Sequence, residues 1–428
     1  MQCGAAVRDI TPPRPVPLHG YANRSRASTG VAEPISLGCL ALDDGTARLL
    51  LVTCDMVGIE AGICQELYGL LEEEAGVGFP HVLLSCSHTH FAPALQDTTY
   101  AGPEAAPAKP DPRFVQDIRV KLVEAAREAL RNLQPARLET ARPQVPQVLF
   151  NRRTLRADGK VEMSFRYPLN AGEYTFQRTD PELSVLRLRD EHSVRAVVAN
   201  FGCHPVTGGR DAEADHYRIS PDYPYYLRQA VTARWACPVF FTLGAAGDAV
   251  PLDRFGDCRQ RIGRSLADAI ILADRAFRED REPVLRAEAW PVAVQAIVPG
   301  PSGGTAEAER ERARRAACYP GGRWTVPVQF AWIGRTALVA LPFEVLAEIG
   351  LRVKERLPEA VLVSCAGGYE GYLPLAHEYE RGGYEATDRS AHFTPGTADR
   401  LLEVILGRLA EGYGGTAREG GGHAHLVP

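Results

Sequence analysis

Short continuous apolar runs, each closed by a Gly, Pro or polar turn, constrain this chain more than any other feature. Leu49-Leu50-Leu51-Val52-Thr53-Cys54 ends in Asp55, and His81-Val82-Leu83-Leu84 leads to Ser85-Cys86-Ser87-His88-Thr89-His90 and Pro93. Val194 to Phe201 runs into Gly202-Cys203-His204-Pro205, and Val239 to Leu243 into Gly244-Ala245-Ala246-Gly247-Asp248. Thr336 to Leu341 meets Pro342-Phe343-Glu344, and Val361 to Cys365 enters a Gly/Tyr-rich loop. Apolar runs of this length read as buried strands that end in polar residues. In Leu183 to Arg189 the second half alternates, so a half-exposed strand is expected there. Segments of helical spacing lie between the runs: Ala61–Glu74, Phe114–Leu133, a helix capped by Ser220-Pro221-Asp222, Cys258–Phe277, a helix through Leu351–Leu357, and Thr397–Tyr413. The class is α/β.

Composition narrows the function. The 428 residues carry 48 Lys and Arg against 53 Asp and Glu, a net charge of -5, so no broad attraction to nucleic acid or an anionic membrane is expected. No apolar run reaches about 18 residues, so no transmembrane segment is expected. The N-terminus lacks the charged and apolar pattern of a signal peptide. The 10 cysteines are scattered without a CxxC pair and read as reduced thiols, which makes the cytoplasm the expected address. A single domain is expected over 1–413, with a disordered Gly-rich tail over 414–428, where His423 and His425 imitate a metal motif. The Pro/Ala/Gly loop 99–113 reads as a rim or lid beside the histidines, and Glu307–Arg315 as a solvated helix on a peripheral excursion.

Candidate chemistry sits at the ends of the runs. In an extended strand, His88 and His90 at i and i+2 would line one face and reach one pocket; a surface turn carrying two histidines is the alternative. His204 repeats the theme of a strand-end histidine followed by proline, and could equally be a hydrogen-bonded loop residue. Glu344 is either a metal ligand at a strand-to-helix corner or a carboxylate favoured by a helix dipole. The turn from Gly244 to Asp248 either lets backbone approach a ligand or packs tightly. Tyr369, Tyr372 and Tyr384 in glycine-rich loops point to a ligand or an interface.

In their order and local sequence, these segments resemble the neutral/alkaline non-lysosomal ceramidase family. The resemblance runs from Asp9-Ile10-Thr11 and His19-Gly20-Tyr21 through Asp55, Ser87-His88-Thr89-His90, Asn151-Arg152 and Thr179-Asp180-Pro181-Glu182. It continues through His204-Pro205, Ser220-Pro221-Asp222, Ala246-Gly247-Asp248, Leu341-Pro342-Phe343-Glu344, Tyr369-Glu370-Gly371-Tyr372 and Tyr384-Glu385. It implies mixed β-sheets flanked by helices and a catalytic zinc (Zn2+). By motif, His88, His204, Glu344 and Tyr372 would hold the metal, while His90, Arg152 and Tyr384 would line the reaction centre. Two His and a Glu also form a zinc-hydrolase ligand set on chemical grounds alone, and zinc lowers the pKa of bound water toward about 7.

The chain departs from the family pattern in three ways. Gly244 stands where the family carries a serine proposed as nucleophile. The secretion signal and C-terminal immunoglobulin-like domain of larger members are absent from this sequence. No apolar platform for membrane docking is evident. The expected function is therefore hydrolysis of an amide bond in a small soluble N-acyl compound by zinc-bound water. A zinc esterase or lactonase and an inactive zinc-binding scaffold are the alternatives. The expected partner is a small-molecule acyl substrate, with a homo-oligomer possible.

Overall fold

The computed structural model describes residues 1–21, 23–96, 110–208, 213–281, 283–297 and 306–415. Three larger sheets organise them. The first orders Val82–Cys86, Arg48–Cys54, Ser36–Asp43, Gln2–Asp9 and Gln134–Pro135. The second orders Val239–Leu243, Val194–Phe201, Ser184–Arg189, Arg137–Ala141 and Arg278–Asp280. The third orders Leu285–Gln295, Arg323–Ile333, Thr336–Ala340 and Ala360–Val363.

Each sheet is antiparallel except at one edge, where two strands run parallel: Arg48–Cys54 with Val82–Cys86, Val194–Phe201 with Val239–Leu243, and Thr336–Ala340 with Ala360–Val363. A parallel pair needs a crossover, usually a helix. Ala61–Ala75, Tyr223–Trp235 and Ala347–Arg356 lie in the three crossovers. The sheets are thus mixed and flanked by helices, as expected.

The parallel edges meet one another. Asn200 Nδ2 donates to Leu362 O (3.0 Å), Ser364 N to Leu243 O (2.8 Å) and Cys86 N to Cys365 O (3.1 Å). One core forms where the three sheets face each other, from residues such as Leu49, Leu51, Leu83, Val198, Phe240, Leu338 and Val361. Alternate residues of the same strands, such as Leu50, Val52, Val197, Ala199, Ala337 and Val339, pack on the opposite faces. Burial on both faces explains why these strands read as unbroken apolar runs. It also directs the carboxyl ends of the parallel strands toward one region, the place where open α/β sheets bind ligands.

Several expectations change. Ser184–Arg189 is not half-exposed: Arg187 is buried, bonded to Glu139 (2.6 Å) and to Asp274, with Phe277 and Trp235 against its guanidinium. Paired carboxylates and aromatic faces make a strand position that looks exposed by its charge a buried one. The charged helix spans Ala306–Cys318 and is not solvated all round, since the Arg315 side chain is fully buried and bonds to the carbonyls of Ile297, Asp388 and Arg389. The closing helix continues to Gly415. The expected rim or lid falls largely outside the described residues, and its end, Pro112–Arg113, belongs to the helix Pro112–Arg131. His423 and His425 also lie outside the described residues. Among the described residues no helix is long and apolar enough to cross a membrane.

Candidate metal centre

Two residues past Val82–Cys86, the chain turns sharply. His88 takes φ 64°, a left-handed conformation uncommon for a residue with a Cβ, and its N–H donates to Met56 O (2.8 Å). The pair His88 and His90 therefore does not sit on an extended strand, and the shared-face argument is replaced by this turn. The turn still brings the two rings together, with Nε2 atoms 3.3 Å apart.

His204 follows Val194–Phe201 and is held by His204 N to Ala249 O (3.0 Å). Glu344 is not at a helix start. It opens the two-residue strand Glu344–Val345, parallel to Tyr372–Leu373, which sets Glu344 beside Tyr372. The rings of His88 and His204 converge on one oxygen of Glu344: Nε2 to Oε2 is 3.2 Å from His88 and 2.9 Å from His204. All three are buried. The other Glu344 oxygen accepts from Tyr369 OH (2.5 Å).

The far ring nitrogens decide which atoms face the centre. His88 Nδ1 donates to Val57 O (2.8 Å) and His204 Nδ1 to Ala246 O (2.5 Å). A carbonyl only accepts, so in the neutral rings the lone pairs sit on Nε2, the arrangement that metal-binding histidines use. His90 differs: its Nδ1 is buried without a hydrogen-bond partner among the described residues. Gly20 and Tyr21 confine this ring. A Cβ at Gly20 would meet His90 Cγ at 2.4 Å, and Tyr21 lies edge-on at 5.1 Å.

Electrostatics favour a cation here. Burial pushes the Glu344 carboxyl up, but His88 and His204 outweigh it and hold it well below the carboxylate range. Burial disfavours charge on His88, yet the Cys365 thiol and Glu344 outweigh it and raise that ring. Burial lowers His204 to about 4, partly offset by Glu344. His90 is lowered by burial and by His88 and His204. The carboxylate thus stays ionised and draws positive charge to its junction with the two rings.

Arg152 closes another side. Its Nη2 donates to Tyr372 OH and to Gly247 O (3.0 Å each), and its Nε to Glu385 Oε1 (2.6 Å). Nη1 has no partner among these bonds. The Tyr384 ring lies 5.5 Å from that of Tyr372, with the Arg152 guanidinium 5.9 Å from its centroid. His88, His90, His204, Glu344, Tyr372, Arg152 and Tyr384 are therefore brought together.

The small-residue turn plays a supporting part. A Cβ at Gly247 would meet Glu344 O at 2.7 Å, so this turn and the Glu344 strand need their close approach. Asp248 spends its oxygens on Asn151 Nδ2 (2.7 Å) and on Ala347 N (2.8 Å), and so ties the Asn151-Arg152 segment to the helix Ala347–Arg356. Gly244 packs on its neighbours: a Cβ there would lie 2.9 Å from Gly202 N and 3.0 Å from Asn200 Oδ1.

Sequence reasoning assigned no role to Glu385, and none on Glu344 to Tyr369. Glu385 is fully buried and bridges Arg152 Nε and Arg153 Nη1 (2.7 Å), while Arg153 also pairs with Glu378. The doublets Arg152-Arg153 and Tyr384-Glu385 were the available signal. A second His/Glu group, Glu348, His377 and Glu378, is engaged by Arg352, Arg153 and Arg381 and forms an ordinary ion-pair network.

Comparison with known proteins identifies the fold and the family. The chain is similar to a solved "Ceramidase complexed with C2" at TM-score 0.74 and 17% identity, covering 96% of this chain and 75% of that one. It is also similar to the crystal structure of neutral ceramidase from Pseudomonas aeruginosa, at TM-score 0.72 and 17% identity, covering 100% of this chain and 76% of that one. Residues 1–214 match the family described as neutral/alkaline non-lysosomal ceramidase, N-terminal. Such membership supports a hydrolase acting on amide bonds. With that match over half its length and the same fold throughout, this chain belongs to the neutral/alkaline non-lysosomal ceramidase family.

Proposed function

We propose that this chain is a zinc-dependent hydrolase cleaving the amide bond of a small acyl compound. The observation that carries this reading is the convergence of His88 Nε2 and His204 Nε2 on one oxygen of Glu344, at 3.2 Å and 2.9 Å. The donors fit zinc: two imidazoles with their far nitrogens fixed, which would hold the metal in their neutral form, one ionised carboxylate, and the Tyr372 phenol beside them. His88, His204, Glu344 and Tyr372 would hold the ion. When bound, zinc supplies a Lewis acid that polarises a carbonyl and makes water nucleophilic near neutral pH.

The remaining residues serve the proton and the developing charge. His90, neutral and with no carbonyl fixing its Nδ1, accepts a proton as water adds to the amide carbon and returns it to the departing nitrogen. Arg152 Nη1 and the Tyr384 hydroxyl stabilise the oxyanion of the tetrahedral intermediate. Glu385 positions Arg152 through its Nε. Gly244 offers no hydroxyl, so direct attack by water is preferred to an acyl-enzyme. The free state of all ten cysteines supports a cytoplasmic address.

The test is hydrolysis by zinc-loaded protein of matched N-acyl and O-acyl compounds. Cleavage of the amide without a burst of acyl-enzyme is expected. Cleavage of esters alone would make this an esterase. Zinc binding with no cleavage in either series would make it a scaffold.

A further inference from the structure

Arg254, a half-buried residue, leaves Nε and Nη2 without a hydrogen-bond partner among the described residues, whereas the buried Arg24 and Arg259 near the centre each leave only Nη2 so. Arg152 and Arg153 share Glu385, Arg259 pairs with Glu33 (3.2 Å), and Arg24 donates to the carbonyls of His19, His90 and His216. Arg254 comes three residues after the strand Ala249–Pro251, and its carbonyl accepts from Gly208 N (2.7 Å). Its Nε and Nη2 are buried without a hydrogen-bond partner among the described residues. Its charge neighbours are Tyr21, Arg152, Cys203 and Asp222. Tyr21 packs edge-on against His90 and donates to Val206 O (3.2 Å), two residues before the Gly208 that bonds to Arg254, which sets Arg254 on the Tyr21 side of the reaction centre. Asp222 does not pair with it: that carboxylate is taken up by Thr207 N, Thr207 Oγ1 and Tyr223 N.

Guanidinium nitrogens removed from water with their hydrogen bonds unmade, as Nε and Nη2 are here, are costly to keep unless something pairs with them. Its fork matches a carboxylate in two parallel bonds. Arg152 already pairs with Glu385, so the guanidinium with two nitrogens still to be met is that of Arg254, a single positive charge. That favours a monoanion over a phosphate dianion. We propose that Arg254 anchors a carboxylate on the substrate, so that the amide cleaved belongs to an acid such as an N-acyl amino acid. The amide part of this inference rests on the hydrolase reading above; the anion site does not.

The experiment measures binding of two matched pairs to wild type and to Arg254→Met by calorimetry, with hydrolysis followed separately. N-octanoylglycine against N-octanoylethanolamine places the acid on the amine side, and N-hexylsuccinamic acid against N-hexylbutanamide places it on the acyl side. In wild type the acid of at least one pair should bind about tenfold more tightly or better, and Arg254→Met should erase that preference while leaving the neutral compounds unchanged. The variant's melting temperature should not fall, since no internal pair is broken. Equal affinity within both pairs, or a preference that survives in Arg254→Met, overturns the inference. Cleavage without acid preference overturns it while sparing the hydrolase; acid-selective binding without cleavage keeps the anchor and sinks the hydrolase.

Discussion

His88 and His90 bring their Nε2 atoms within 3.3 Å of each other, yet only His88 has its far nitrogen fixed, by Val57 O at 2.8 Å. The rings of His88, His90 and His204 offer nitrogens within 4.8 Å of one another, and on the function proposed above this asymmetry assigns the metal to His88 and the proton to His90. A ring locked in one tautomer presents a lone pair to a cation. A ring with an uncommitted Nδ1 exchanges a proton.

His204→Ala is expected to remove most bound zinc along with activity. The variant loses one of the two rings on Glu344 Oε2 and leaves that buried carboxylate with one fewer partner. Elemental analysis of protein purified without chelator checks this; a full complement of zinc in His204→Ala would remove it from the ligand set.

Glu385→Gln should retain zinc but lower turnover by about 10–100-fold, the size expected when a residue that orients a site residue is lost. It should also lower stability, because Arg152 and Arg153 lose the charge they share. Equal turnover in variant and wild type would remove the positioning role of Glu385.

Gly244→Ser should not create a serine enzyme. Its Cβ would press on Gly202 N and Asn200 Oδ1, so a destabilisation of about 1–3 kcal/mol is expected from overpacking, with no acyl-enzyme in a rapid-quench burst. A stable variant with an acyl-enzyme burst would show that the position still accepts the serine route.

A pH dependence follows from Glu370, whose carboxyl is raised to about 7 by burial, against Tyr319 and Arg314. Its folded pKa lies above its unfolded value, so the native state keeps a proton that the unfolded chain releases. The stabilisation is full below about pH 4.5 and is lost as pH rises through about 7. Glu370→Gln keeps a neutral side chain throughout. Its stability relative to wild type should rise between pH 5 and pH 8, on the order of 2 kcal/mol. Denaturant melts across that range check it; a difference that does not change with pH contradicts it.

Much of this was legible in the sequence for a physical reason. Strands buried on both faces leave unbroken apolar runs, and residues at their carboxyl ends, such as His204 and Glu344, fall where three sheet edges meet. Arg187 misled because its charge suggested solvent, while Glu139, Asp274, Phe277 and Trp235 were supplied from elsewhere in the fold. Glu385 stayed hidden because its partner Arg152 is 233 residues away, and no local spacing encodes such a pair. The His88 and His90 rings met as expected, but through the left-handed turn at His88 and not through an extended strand.

The central claim is the split between His88 and His90, and zinc content with turnover in His90→Ala tests it most directly. The account predicts a metal content equal to wild type with turnover down about 10²–10³-fold, the loss expected for a proton-transfer residue. A His90→Ala protein that purifies without zinc would contradict it and make His90 a ligand beside His88 and His204.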